Sequence, residues 1–108
     1  MSDSVKGIVD ALPGQFDPEA AAGLDSVFQF DISGDEAGQY HVVIKDQTCN
    51  IVEGAHSTPS VTFAMASNDF VDMMTGKLSG QQAFFSGKLQ VSGDLMLAQR
   101  MESLFKKG

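Results

Sequence analysis

The stretch Phe84 to Phe105, FFSGKLQVSGDLMLAQRMESLF, decides how this chain is read. Gly87 and Gly93 bracket Leu89 and Val91, an alternating pair that spells a short strand, and Gly93-Asp94 then opens a helix. Leu97, Met101, Leu104 and Phe105 share one stripe of that helix, and Leu95 and Met96 add apolar surface around its first turns. The spacing predicts that the start of the helix is buried on most sides. Its cover comes either from the protein's own core or, in part, from a bound apolar molecule lying in a tunnel, and the residues leave both open.

Upstream the pattern alternates between the two periods. Val5, Ile8, Val9 and Leu12 recur at helical spacing before Pro13-Gly14, which predicts an opening amphipathic helix stopping there. Asp17-Pro18-Glu19 followed by alanines predicts a second short helix ending near Gly23. Phe28, Phe30 and Ile32 alternate with Gln29 and Asp31, the mark of a strand with one buried face. Gly34 to Gly38 turns the chain into Tyr40–Lys45, and the tight Asp46-Gln47-Thr48 link leads to Cys49–Glu53, completing a three-stranded meander. After the polar loop Gly54 to Ser60, Val61, Phe63 and Met65 alternate with Thr62, Ala64 and Ala66 in a fourth strand. Ser67 is the expected cap of a helix carrying Phe70, Met73 and Met74 and closed by Gly76. Ser79 and Gln82 are spaced as a capping box for another short helix through Phe84 and Phe85. Leu89 and Val91 are then the fifth strand.

At 108 residues one hydrophobic core is affordable and two are not, so a single domain over 1–108 is expected. The longest apolar runs fall far short of the roughly 20 residues that span a bilayer. Met1-Ser2-Asp3-Ser4 lacks the basic start of a secretory signal, Lys106-Lys107-Gly108 is not a Ser-Lys-Leu-type peroxisomal address, and the single Cys49 allows no intrachain disulfide. A cytoplasmic location is the expectation. The net charge of -7 hides a gradient: residues 1 to 54 hold ten acids and two bases, residues 76 to 108 five bases and two acids. An acidic whole argues against nucleic acid as a partner, because phosphate neutralisation needs clustered cations. Lys77, Lys88, Arg100, Lys106 and Lys107 remain available for transient contact with an anionic membrane surface or a coenzyme A phosphate.

Catalytic readings fare poorly. In a tight hairpin Cys49 pairs near Lys45, which leaves His41 four or five residues along the strand, about 13 to 16 Å away at strand rise and beyond hydrogen-bond reach. His56, in the following loop, is no better placed. Two separated histidines and one cysteine match no metal-ligand spacing, and neither glycine-rich phosphate-binding pattern occurs. No catalytic residue, metal or cofactor is called for.

What remains is apolar excess, eight Phe and six Met, with Met65, Met73, Met74, Met96 and Met101 in the carboxyl half. Methionine is flexible and polarisable, so such a wall adapts to ligands of different shape; ordinary core packing is the plainer account of any one member. The runs Met74-Thr75-Gly76-Lys77-Leu78, Ala83-Phe84-Phe85-Ser86-Gly87-Lys88-Leu89 and Gly93-Asp94-Leu95-Met96-Leu97-Ala98, with Arg100-Met101, closely resemble the carboxyl half of the sterol carrier protein 2 (SCP-2) family. The amino-terminal third carries no specific motif. The resemblance implies an α/β fold, a five-stranded mainly antiparallel sheet covered by about five helices around a hydrophobic tunnel for fatty acids, fatty acyl-CoAs, sterols and other lipids. On that reading Phe63, Met65, Phe70, Met73, Met74, Leu78, Phe84, Phe85, Leu97, Met101, Leu104 and Phe105 line the tunnel. Gln81 and Gln99 are candidates to meet a ligand's polar end. The expected function is non-enzymatic lipid binding and transfer. The alternative is an accessory protein that presents an isoprenoid of quinone type, or an acyl intermediate, to partner enzymes. The chain departs from the family's peroxisomal members in lacking the targeting tripeptide, and it reads as a free-standing domain without fused thiolase or dehydrogenase modules.

Overall fold

The computed structural model describes residues 4–105. Alternating side chains build β1 (Ser26–Ser33), β2 (Gly38–Lys45), β3 (Thr48–Glu53), β4 (Val61–Ala66) and β5 (Leu89–Gly93). They form one sheet in the order β3-β2-β1-β4-β5. Neighbours are antiparallel except β1 and β4, which run parallel with Phe30 opposite Phe63 and Ile32 opposite Met65. Period-two geometry sends Phe28, Phe30, Ile32, Val42, Ile44, Val61, Phe63, Met65 and Leu89 to one inner face, where all are buried.

Four helices cover that face: α1 (Val5–Gln15), α2 (Ser67–Met74), α3 (Gly80–Phe85) and α4 (Leu95–Leu104). Their buried residues Val5, Val9, Leu12, Phe70, Ala83, Met101 and Leu104 join the sheet's inner face in a single cluster. The caps are local chemistry. Ser4 Oγ accepts the Gly7 amide at 3.0 Å, and Glu36 Oε1, from the β1–β2 turn, accepts the Val5 amide at 2.8 Å, which places a carboxylate at the helix N-terminus. Ser79 and Gln82 form the expected capping box, and Asp94 Oδ1 accepts the Met96 and Leu97 amides.

Three local readings change. Residues 17 to 23 are successive turns, not a helix: the amides of Ala21 and Ala22 bond three residues back to Pro18 and Glu19. So short a segment, with only Ala21 and Leu24 buried, gains too little to offset helix nucleation. Helix α1 runs through Pro13 to Gln15, because a missing amide in the last turn leaves the remaining bonds intact, and Phe16 still donates to Pro13 at 3.5 Å. Ser67 lies inside α2 and is buried; Ala66 occupies the cap position without a side-chain bond.

The two-residue β2–β3 turn holds Asp46 and Gln47 at φ 52° and 60°, the left-handed twist that hairpins favour. Gln47 donates its amide to the Pro18 carbonyl at 3.0 Å, tying the hairpin to the turn segment. Residues 54 to 60 carry the chain from β3 past β2 and β1 to β4 over the outer face. There the His56 amide donates to Gln29 Oε1 at 2.9 Å, the Ser60 amide to the Val27 carbonyl at 2.9 Å, and the Val27 amide to Ser60 Oγ at 3.0 Å. Gly93, at φ 101°, lies so close to this crossover that a Cβ would sit 2.6 Å from the Ser60 carbonyl oxygen. Gly93→Ala therefore meets both a forbidden backbone angle and a clash with main chain, and a loss of about 3 kcal/mol is expected in urea unfolding. Unchanged stability would show that β5 and the crossover are not held together there.

Candidate functional site

The inner face is organised around aromatic rings. Phe63 on β4 stacks with Phe30 at 5.3 Å between centroids and with Phe28 at 6.4 Å, and Phe70 of α2 meets Phe30 edge-on at 5.8 Å. Met65 lies two residues along β4 from Phe63. At the other end of the chain Phe105 packs on Phe16 at 5.8 Å, and the Asp17 amide bonds to the Leu104 carbonyl at 2.8 Å, so the end of α4 is fastened beside the end of α1.

The expected lining residues divide by burial. Phe63, Met65, Phe70, Met101, Leu104 and Phe105 are buried in the central cluster; Met73, Met74, Leu78 and Leu97 are half-buried against it, together with Val71, Val91 and Ala98. Gln81 and Gln99 are exposed. Phe84 and Phe85, 46% and 81% exposed, meet edge-on with centroids 5.8 Å apart. The first turn of α4 departs from expectation: Leu95 and Met96 are 55% and 78% exposed. The reason lies in topology, since α4 follows β5, beyond which no strand pairs among the described residues. Sequence reasoning also missed Phe28 and Phe30 as members of the site; their period-two spacing in β1 was the available signal, and their register against β4 was not.

Half-buried apolar residues occur in two places: Ile8, Phe16, Ala20, Tyr40, Cys49 and Ile51 on α1, the link after it, β2 and β3, and Val71, Met73, Met74, Leu78, Val91, Leu97 and Ala98 on α2, the link after it, β5 and α4. Elsewhere, on the outer face of β4 and β5, a shallow groove of about 230 Å³ is lined by Ser33, Ala64, Met65, Ala66, Gly87, Lys88 and Gln90. Its polar lining and its position behind the sheet separate it from the apolar wall.

Cys49 and His41 do not converge. Cys49 pairs with Ile44 and faces the core, whereas His41 pairs with Val52 and faces the opposite side of the sheet. Burial pushes the Cys49 thiol up to about 11. The two histidines do meet, ring to ring at 5.2 Å, with His41 Nδ1 donating to the Gly54 carbonyl at 2.8 Å and His56 Nδ1 accepting the Thr58 amide at 3.0 Å. Both bonds fasten the crossover. Among the described residues no three His, Cys, Asp or Glu side chains gather as a metal site, and no helix is long and apolar enough to cross a membrane.

The fold and this wall define a class: a small α/β domain whose five-stranded sheet is roofed on one face by short helices over an apolar interior. A model of the SCP-2 sterol transfer family matches residues 9–106. Hydroxysteroid dehydrogenase-like protein 2 of Xenopus tropicalis is 35% identical over 95 residues, 87% of this chain and 23% of that protein. Sterol carrier protein 2-like 2 of Aedes aegypti superposes with a TM-score of 0.74 at 26% identity, covering 90% of this chain and 92% of that one. The palmitated form of that mosquito protein in solution gives 0.73 at 25% identity, covering 91% and 90%. The chain belongs to the SCP-2 sterol transfer family, a family of lipid-binding and lipid-transfer domains. It spans under a quarter of the length of the dehydrogenase-like relatives it matches.

A thiol that ionises only near pH 11 is a slow nucleophile. Alkylation of Cys49 by iodoacetamide at pH 8 is expected to run at least about tenfold slower in the folded protein than in urea, where the thiol regains its ordinary acidity. Equal rates would mean that Cys49 is not buried against the core.

Proposed function

We propose that this protein is a non-enzymatic carrier of a single long-chain apolar lipid, a fatty acid, fatty acyl-CoA or sterol, held between the inner face of the sheet and helices α2 to α4. One observation carries the reading: the apolar side chains of α2, the link after it, β5 and α4 stay half-buried while packed against a closed aromatic core. A wall built this way, with Met73 and Met74 in it, opens by rotamer change and needs no broken hydrogen bond. That a relative of the same fold holds palmitate supports the choice of ligand class.

Physical magnitudes agree. Burying methylenes is worth about 0.8 kcal/mol each, so a sixteen-carbon chain gains about 13 kcal/mol before costs. Immobilisation offsets several kcal/mol, which leaves micromolar or tighter affinity without any specific polar contact. Gln81 and Gln99 sit on the surface, so a headgroup meets solvent and charged rim in this reading. Selectivity is set by chain length and bulk, and is therefore broad.

Titration with fluorescent fatty acids is expected to show affinity rising by up to about fourfold per methylene until further methylenes stay in water. Met74→Asp and Leu97→Asp, both half-buried positions, are expected to weaken binding at least about tenfold while the circular dichroism spectrum stays native. No saturable binding of a fatty acid, a sterol or an isoprenoid probe would end the proposal. Saturable binding without acceleration of vesicle-to-vesicle transfer would reassign the protein as an accessory that presents lipid to other enzymes.

A further inference from the structure

We propose that His41 and His56 form a proton-operated latch on the crossover, closed while His56 is neutral and opened in mild acid, and that opening it slackens the start of α4; the effect on cargo rests on the carrier reading. The partners fix the state of each ring. A carbonyl oxygen only accepts, so His41 carries its hydrogen on Nδ1 toward Gly54 at 2.8 Å. An amide only donates, so His56 Nδ1 holds a lone pair toward the Thr58 N–H at 3.0 Å. An imidazolium has no such lone pair. Protonating His56 therefore breaks the Thr58 bond and turns one donor against another. The rings lie 5.2 Å apart, edge to face, and His41 is 9% exposed, so charge on both meets repulsion where little water screens it.

The surroundings offer little to offset that charge. Both rings sit on the outer face, where the side chains around His41 are the uncharged Gln29, Gln39, Val43, Asn50 and Val52 and one carboxylate, Asp31. Asp31 Oδ1 already accepts Gln29 Nε2 at 3.0 Å and Gln39 Nε2 at 3.2 Å. Glu53 pairs with Tyr40 and falls on the other face by alternation, and Lys88 lies across β1, in the groove over β4 and β5. Residues 54 to 60 contain no further ionisable side chain. The latch is thus complete above the ordinary histidine range and is lost as pH falls through about 6.5.

What the latch holds leads to the cargo wall. The His56 amide is bonded to Gln29, and Ser60 exchanges two bonds with Val27. The Ser60 carbonyl accepts the Asp94 amide at 3.1 Å, and Asp94 Oδ1 in turn caps α4 at Met96 and Leu97. Leu97 is part of the half-buried wall. A crossover released at His56 loosens the anchor of that first turn.

Amide hydrogen exchange followed by nuclear magnetic resonance at pH 7.5 and 5.5 tests the latch. In the parent the protection factor of the Thr58 amide is expected to fall about tenfold at the lower pH, the effect of one proton excluded from the closed form. The Asp94 amide is expected to fall with it. His56→Asn replaces Nδ1 by a side-chain oxygen that accepts the amide two residues on and does not titrate, so its Thr58 protection is expected to be the same at both pH values. A sterol probe, which carries no titrating headgroup, is expected to bind the parent several-fold more weakly at pH 5.5 and to bind His56→Asn equally at both. Thr58 protection that is unchanged in the parent, which needs no variant to measure, overturns the latch. So does a folded His56→Asn that loses protection as the parent does, since the titrating group then lies elsewhere. Sterol affinity unmoved while Thr58 opens overturns the link to cargo. If the parent binds no sterol, fatty acid or isoprenoid at either pH while Thr58 still opens, the carrier reading falls and the latch stands.

Discussion

The parallel pairing of β1 with β4 is the constraint on which the rest of the molecule depends. It sets Phe30 beside Phe63 in register, and those two rings with Phe28 and Phe70 form the aromatic centre against which the helices close. A parallel neighbour also obliges the chain to leave the meander at β3 and cross to the far side of β1. That crossover runs over the outer face, where Gln29, His41, His56 and Ser60 satisfy its backbone, which leaves the inner face free for apolar contact alone. The two faces therefore divide the work: polar fastening behind the sheet, apolar matter in front.

This arrangement combines a closed core with a partly buried wall. The residues at the β1–β4 junction are fully closed, as Phe28, Val61 and the Phe70 ring above them show. Toward β5 the sheet has only an edge strand of five residues, and the short helices beside it cannot enclose every apolar side chain. Burial therefore declines from β1 to β5, through half-buried Met74, Val91 and Leu97 to exposed Phe85 and Met96. On the proposed reading, a gradient of that kind keeps the fold closed at its centre while an apolar guest enters and leaves at its margin.

Much of this was legible in the chain because period-two alternation is a local signal: Phe28-Phe30-Ile32 and Val61-Phe63-Met65 read as one-faced strands, and the capping box at Ser79 and Gln82 reads as a helix start. Tertiary placement was not. Asp17-Pro18-Glu19 has the chemistry of a helix start, but the alanines after it bury too little surface to sustain one, and turns result. Leu95 and Met96 look like core by composition, and only the position of β5 at the sheet's edge exposes them. Cys49 and His41 lie on adjacent strands, and which face each occupies depends on register, which the pairing of Ile44 with Cys49 settles.

A lipid held between the sheet's inner face and α2 to α4 travels with the protein through purification. Native mass spectrometry of protein purified from its own host without delipidation weighs the complex directly. The expected spectrum holds a species heavier than the bare chain by the mass of one lipid, which disappears after extraction with a hydrophobic resin. A spectrum of bare chain alone, unchanged after incubation with fatty acids, sterols and isoprenoids, would contradict it.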